Sequence, residues 1–250
     1  MGSRQWALGL KGGNGQWAST LRSTPKPYCL LPTASRRSCM TDPSRLMRFV
    51  LEMRQAGVTD ARALSALERT PRTHYAPEHL EGLALDDVGL PLAHAQTMTK
   101  PSIIGRMIAA VAPQQTDVVL EVGSGSGFQA AAISSAASKV ITLDRWNDLV
   151  VAARGRFGTA RLMRTYAFTA DGFDGWPDEA PYDRIIVNAA LDDFPPPLLA
   201  QLKPGGVIVA PLGDAQSQRL IRYRNGERED LGPIRMQPLE RGLGEAPPVA

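Results

Sequence analysis

The chain has 250 residues, 43% of them hydrophobic and 21% charged, which suits one soluble α/β domain with appendages. Its formal charge of +3 would suit a nucleic-acid binder, but residues 1–39 hold six basic residues (Arg4, Lys11, Arg22, Lys26, Arg36, Arg37) and no acidic one. Without those six, 22 basic residues face 25 acidic ones, a net charge of −3 for residues 40–250, so the body gives no reason to invoke DNA or RNA.

No apolar run approaches the roughly 20 residues that span a bilayer, so no membrane role is expected. The first 39 residues, rich in Gly, Ser, Thr, Arg and Pro, show no apolar periodicity and read as a disordered leader. Their acid-free, Arg/Ser-rich character fits an organelle transit peptide. An upstream extension with initiation at Met40 is the simpler account of them and is the one expected. Both cysteines, Cys29 and Cys39, lie there, so the body forms no internal disulfide and suits a reducing cytosol. Three histidines, His74, His79 and His94, fit no zinc spacing, and no metal is expected.

Residues 40–113 read as a helical subregion. "DPSRLMRFVLEMRQAG" starts at Asp42-Pro43 and stops at Gly57, with Leu46, Phe49, Val50 and Met53 on one stripe. "DARALSALERTP" repeats the pattern with Asp60 as cap and Pro71 as terminator, and "PEHLEGLALDD" adds a short helical turn. "PSIIGRMIAAVAP" places Ile104, Met107, Ile108 and Val111 on one face. Between them, "AHAQTMTKP" (93–101) crowds Thr97, Thr99, Gln96, His94 and Lys100 into nine residues and does not look like a linker.

Residues 114–242 change style. Short apolar runs, "DVVLEVG", "KVITLDR", "YDRIIVNAA" and "GGVIVAPLG", alternate with the helical "SGFQAAAISSAA", "WNDLVVAARGRF" and "DFPPPLLAQLKP". That alternation predicts a mostly parallel, Rossmann-like sheet with helices on both faces. "RLIRYR", an "NG" turn and a returning "GPIRMQPL" predict an antiparallel pair appended to it, and residues 243–250 a flexible tail.

"LEVGSGSGF" sets Gly123, Gly125 and Gly127 after a strand and at a helix start, where a backbone can approach a ligand closely. Asp144 lies 21 residues past Gly123 at the next strand end, where a carboxylate accepts from ribose hydroxyls or caps the following helix. Asp171, with Gly172, falls where the third strand should end, facing an adenine edge or making a turn. The three sites point to one sheet edge, where open α/β folds bind ligands. The spacing is G-x-G-x-G, not the G-x-G-x-x-G of a dinucleotide site. "LKPGGVIVAPLG" resembles the corresponding segment of class I S-adenosylmethionine (AdoMet) methyltransferases, so AdoMet is the expected cofactor.

From about Met47 to Arg241 the chain resembles the protein-L-isoaspartate (D-aspartate) O-methyltransferases, most specifically in "LPLAHAQTMTKP" and "DGFDGWPDEAPYDRIIVNAA". The resemblance implies a repair enzyme that methylates the carboxylate of L-isoaspartyl, and by extension D-aspartyl, residues in damaged proteins. The ester then closes to a succinimide. It implies Thr99 as the catalytic hydroxyl, and Gln96, Thr97, Met98, Thr99, Ile104, Glu121, Gly123, Ser124, Gly125, Gly127, Asp144, Arg145, Asp171, Gly172 and Gln218 around the cofactor. His94, Lys100 and Asn188 fall toward the substrate. Isoaspartyl proteins and peptides are the expected partners, and a cytoplasmic monomer the expected state. The chain departs from the family at Ala93 and Ala95 (usually Gly), Thr99 (Ser), Lys100 (neutral, often Gln), Ala170 (Gly) and Asn188 (Thr). The altered 93–100 segment leaves open a dedicated carboxyl methyltransferase of the same lineage acting on one peptide or small molecule. A non-catalytic AdoMet-binding protein is the third reading.

Overall fold

The computed structural model describes residues 43–244. The expected leader, the Asp42 helix start and the last residues of the tail lie outside them. Helices α1 (Pro43–Gln55), α2 (Ala61–Arg69) and α3 (Pro101–Val111) precede the sheet in sequence. The predicted stripes face inward: Phe49 and Met53 of α1 are buried, as are Ile104, Met107, Ile108 and Val111 of α3. Asp60 caps α2 by accepting from the Ala63 amide at 2.8 Å. Gly105 lets α3 press on its neighbours, since a Cβ there would sit 2.9 Å from Val58 and 3.0 Å from Leu67. "PEHLEGL" forms a 3-10 turn, Glu78–Leu83, without a buried face.

The stretch between α2 and α3 is not purely irregular. Strands β1 (Leu90–Pro91) and β2 (Thr97–Met98) pair antiparallel, Leu90 opposite Met98, and the loop of 93–96 closes them. His94 and Ala95 stand at φ +57° and +53°, the left-handed region that glycine enters more easily. The family's usual glycine at position 95 fits that geometry.

The main sheet has seven strands: β3 (Val118–Val122), β4 (Lys139–Asp144), β5 (Thr165–Thr169), β6 (Tyr182–Val187), β7 (Leu202–Gly213), β8 (Gln218–Arg224) and β9 (Glu227–Pro233). Their order is β5-β4-β3-β6-β7-β8-β9. The first five run parallel, and β8 and β9 are antiparallel. Helices α4 (Phe128–Ser134), α5 (Asn147–Thr159) and α6 (Pro196–Ala200) connect parallel strands. Val119, Leu120, Ile141, Ile185, Ile186, Ile208 and Val209 are inaccessible, as a doubly covered parallel sheet requires. The N-terminal helices join the same core: Phe49, Leu67 and Met107 cluster with Val119, Val140 and Val209.

Two details correct the sequence reading. The Asn225-Gly226 turn, with φ of +52° and +88°, sends the chain back at once, so the return strand is Glu227–Pro233 rather than "GPIRMQPL". Residues 234–239 leave the sheet and cross its edge, where Pro238 bridges Ala190. The helix before β7 is only five residues long, and Pro204-Gly205-Gly206 lies inside the strand, beside a register irregularity against β6.

Because Asp60 caps α2 through one bond to an otherwise unpaired amide, Asp60→Ala should cost about 1 kcal/mol. In a domain of this size that lowers the midpoint of thermal unfolding by roughly 2–4 °C. An unchanged midpoint would show that the cap contributes nothing.

Candidate functional site

The chain runs from β3 outward through β4 to β5 and then crosses back to set β6 on the other side of β3, and this reversal opens a crevice at the carboxyl ends of β3 and β6. A cleft of about 1270 Å³ fills it, walled by the glycine loop, by Gln96–Lys100 from the hairpin, and by residues 233–238. A recess of about 320 Å³ adjoins it on the β4–β5 side. Gln96, Gly123, Asp144 and Asn188 line both.

The glycine loop is shaped by its own backbone. Gly123, Gly125 and Gly127 take φ of +93°, +47° and +84°. The Gly123 and Ser124 amides both donate to the Leu143 carbonyl at 2.8 Å, binding the loop to β4. A Cβ on Gly127 would lie 2.9 Å from the Phe157 ring, so the third glycine serves close packing on α5. Asp144 unites its two sequence readings. One oxygen accepts from the Gly125 amide at 2.8 Å and the other from the Trp146 amide at 3.1 Å, ahead of α5, while the residue faces both cavities. Burial pushes its carboxyl up, and the Gly125, Trp146 and Arg145 amides pull it back.

Glu121 was expected beside the cofactor, but it lines neither cavity. It lies under the loop, fully buried, accepting from the Thr142 hydroxyl and, at 2.9 Å, from the Asn188 amide. The same Asn188 nitrogen donates to the Gly123 carbonyl at 3.0 Å. Burial pushes the Glu121 carboxyl up to about 8; the bonds from Thr142 and Asn188 oppose the rise and the charge of Asp144 adds to it. Its role here is to support the loop, since both oxygens are spent below it.

The hairpin residues sort themselves clearly. Thr99, Lys100 and Ile104 line the large cleft, and the Thr99 hydroxyl has no protein partner among the described residues. Thr97 and Met98 also border it, Met98 being buried against the core. Lys100 lies 3.7 Å from Asp87, whose other oxygen accepts from the Ser102 amide at the start of α3. Gln96 turns its amide back onto the His94 carbonyl at 3.1 Å. His94 is not on the Thr99 side: it walls the recess, stacked on Trp146 at 3.8 Å, with Nε2 2.7 Å from Asp148.

Three further candidates are committed to holding the C-terminal segment. Asp171 lines neither cavity; its oxygens accept from the Phe173 amide at 2.9 Å and the Gly242 amide at 2.6 Å. Gly172 does face the recess, where any Cβ would collide with Val122 at 2.4 Å. Arg145 pairs with Glu240 and donates to the Gly242 carbonyl at 3.1 Å. Gln218 borders the cleft but grips the Met236 backbone at both ends of its amide, at 3.1 and 2.7 Å.

Residues outside the sequence-derived set complete the walls. Arg72, inaccessible to solvent, donates to the Ala84 and Val88 carbonyls at 3.0 and 2.9 Å and to the Thr99 carbonyl at 3.2 Å. Burial lowers its guanidinium to about 10, against the favourable charges of Asp87 and Asp86. Gln237 donates to Ala95 at 2.9 Å, tying the C-terminal segment to the hairpin loop. Only the likeness of "IRMQPLERG" to the family hinted at this segment; nothing in the sequence around Arg72 marked it.

A sequence model of the protein-L-isoaspartate (D-aspartate) O-methyltransferases matches residues 44–239. The chain belongs to this family. A protein-L-isoaspartate O-methyltransferase of Ruegeria pomeroyi is 45% identical over 209 residues, covering 82% of this chain and 97% of that one. One from Paracoccus denitrificans is 45% identical over 206 residues, covering 80% and 95%. Among solved structures, a candidate protein-L-isoaspartate O-methyltransferase of Plasmodium falciparum, in complex with S-adenosyl-L-homocysteine, superposes with a TM-score of 0.66. It is 18% identical and covers 77% of this chain and 97% of its own, a likeness of fold. Among the described residues, no helix is long and apolar enough to cross a membrane, and no cluster of three metal-ligating side chains occurs.

The residues fit the family's cofactor, AdoMet. The loop offers a close backbone approach, Asp144 faces both cavities, and Ser124, Gln129 and Asn188 present buried polar atoms without protein partners among the described residues.

Glu121 makes a pH prediction. Below about pH 4.5 its carboxyl is neutral in the folded and unfolded chains alike, and no penalty arises. As pH rises toward 8 the unfolded chain ionises first, so stability falls across that window and levels off above it. Glu121→Gln does not titrate. Its unfolding free energy in urea should therefore gain on the parent between pH 5 and pH 8, and an equal difference at both would mean an ordinary, ionised carboxylate.

Proposed function

We infer that the cleft transfers a methyl group from AdoMet to the free carboxylate of L-isoaspartyl residues, and of D-aspartyl residues by the same geometry, in damaged proteins and peptides. The carrying observation is the unpartnered Thr99 hydroxyl on the wall of a cleft whose other walls hold the glycine loop and Asp144. The family and its relatives supply the substrate class; the chemistry of the walls agrees with it.

A carboxylate with a pKa near 4 is already ionised at neutral pH, so the reaction needs no general base. The bound AdoMet supplies an electrophilic methyl group on a sulfonium. Asp144 holds the Gly125 amide and faces the adenosine side, and the glycine loop keeps its backbone close to the ligand. Arg72 fixes the Thr99 carbonyl and thereby the backbone that carries the hydroxyl. The Thr99 hydroxyl then donates to one oxygen of the incoming carboxylate and leaves the other free to attack in line. Neutral donors suit this task, since a full ion pair would hold the nucleophile too tightly. The ester so formed closes to a succinimide without help from the protein. A monomer is part of this reading, and the cysteine-free body supports a reducing compartment.

Incubation with labelled AdoMet and paired peptides that differ only in aspartyl versus isoaspartyl linkage tests the reading. Base-labile label is expected on the isoaspartyl member alone, and label on neither or on both would overturn it. Thr99→Val should lower turnover by about 10²-fold through lost orientation, with AdoMet affinity changed only several-fold. Undiminished turnover would remove Thr99 from the chemistry.

A further inference from the structure

Lys100 stands on the cleft wall one residue past Thr99, with 44% of its side chain exposed. Its ammonium lies 3.7 Å from Asp87, beyond hydrogen-bond length, and Asp87 itself lines neither cavity. Asp87 does not depend on this cation. Its other oxygen accepts from the Ser102 amide at 2.8 Å, and the buried Arg72 guanidinium lies close enough for the two charges to favour each other. A loose, half-exposed pair contributes little, so Lys100 can turn from Asp87 to a ligand's anion at small cost.

A second cation faces the same space. Arg235, on the segment after β9, is exposed, lines the cleft and has no protein partner among the described residues. Arg106 of α3 donates to the Pro233 and Leu231 carbonyls at 3.1 and 3.2 Å, which ties that segment to the helix that follows Lys100. Carboxylates line the cleft too, at the strand ends: Asp144 on β4, Asp192 after β6, and Asp214 after β7, the last held by the Gln216 and Ser217 amides. The α3 side is therefore the basic one. At about 1270 Å³ the cleft exceeds the roughly 300–1,000 Å³ of a small-molecule site, which leaves room for a peptide beside AdoMet. Consecutive residues lie about 3.8 Å apart in protein and peptide alike. A peptide whose isoaspartyl carboxylate meets Thr99 thus carries a neighbouring residue past Lys100. The reacting carboxylate is a poor partner for Lys100, because a full ion pair would tie up the nucleophile, whereas a carboxylate beside it carries no such penalty. We propose that Lys100, aided by Arg235, is a specificity residue that selects isoaspartyl peptides with an aspartate or glutamate next to the isoaspartyl residue.

This selectivity rests on isoaspartyl methylation, the function inferred above, and adds which peptides are preferred. Steady-state kinetics would compare isoaspartyl peptides identical except for Glu or Gln at the position before, or the position after, the isoaspartyl residue. On one of those two sides the parent should favour the Glu member by about fivefold in kcat/KM, carried by KM, as a half-exposed ion pair allows. The preference should shrink as sodium chloride screens it. Lys100→Gln should bring the two members level, Lys100→Arg should retain the preference, and Arg235→Gln should reduce it in part. Lys100→Glu should invert it toward peptides with Lys at that position. A loss in Lys100→Gln that falls equally on both members would mean a distorted hairpin and overturn the assignment. A parent that does not distinguish the two members would also overturn it, as would a preference that Arg235→Gln alone abolishes. Methylation of isoaspartyl peptides without regard to charge would refute the selectivity and leave the function standing. Methylation of none of them would refute the function, and the selectivity with it.

Discussion

The Asn188 side chain joins the two strands between which the ligand cleft opens. Its amide nitrogen donates upward to the Gly123 carbonyl and downward to the Glu121 carboxyl, and the Thr142 hydroxyl takes the other Glu121 oxygen. One small polar group thus fixes the glycine loop to β6, through β3, and on to β4. Taken together, these contacts make the loop a rigid wall. A buried carboxyl is costly when charged, and burial pushes this one up to about 8, opposed by the bonds from Thr142 and Asn188 that it receives without a cationic partner. Everything the cleft does depends on that loop holding still while the ligand approaches its backbone.

The other walls are organised by different means. The hairpin is held from inside by Arg72, a cation that reaches carbonyls on both sides of the β1–β2 turn region and spends none of its reach on a carboxylate. Backbone carbonyls disperse its charge, and the nearby Asp86 and Asp87 carboxylates favour it at a distance. The C-terminal segment is held from outside by polar contacts near the surface: Asp171 with Gly242, Arg145 with Glu240, and Gln237 with Ala95. Buried clamps set the reacting geometry, whereas exposed pairs are individually weak. The recess side is therefore the more easily loosened part of the site.

The parallel core was legible because fully buried strands read as apolar runs and because glycine, aspartate and proline punctuate them. The cleft was legible where backbone chemistry demands particular residues, at Gly123, Gly125, Gly127 and Asp144. It was illegible where a residue's role depends on what folds over it. Asp171 looked like a ligand contact, but its oxygens are used by backbone amides, one of them 71 residues away. Glu121 sits one turn of logic deeper than expected, since strand alternation alone does not say which end of a side chain meets a cavity.

By itself, the sequence determined the order of helices and strands, the sheet edge that carries the ligand, and the family that the chain belongs to. The first two follow from local periodicity and from glycines that only certain turns require, and the family from the resemblance carried by segments such as "LPLAHAQTMTKP". Tertiary structure alone decided that the segment after β9 leaves the sheet to wall the cleft, that Arg72 anchors Thr99, and that Asn188 reaches back to Glu121 and Gly123. Each of these joins residues far apart in the chain, and pairing at that range is set by how the layers pack rather than by any local pattern.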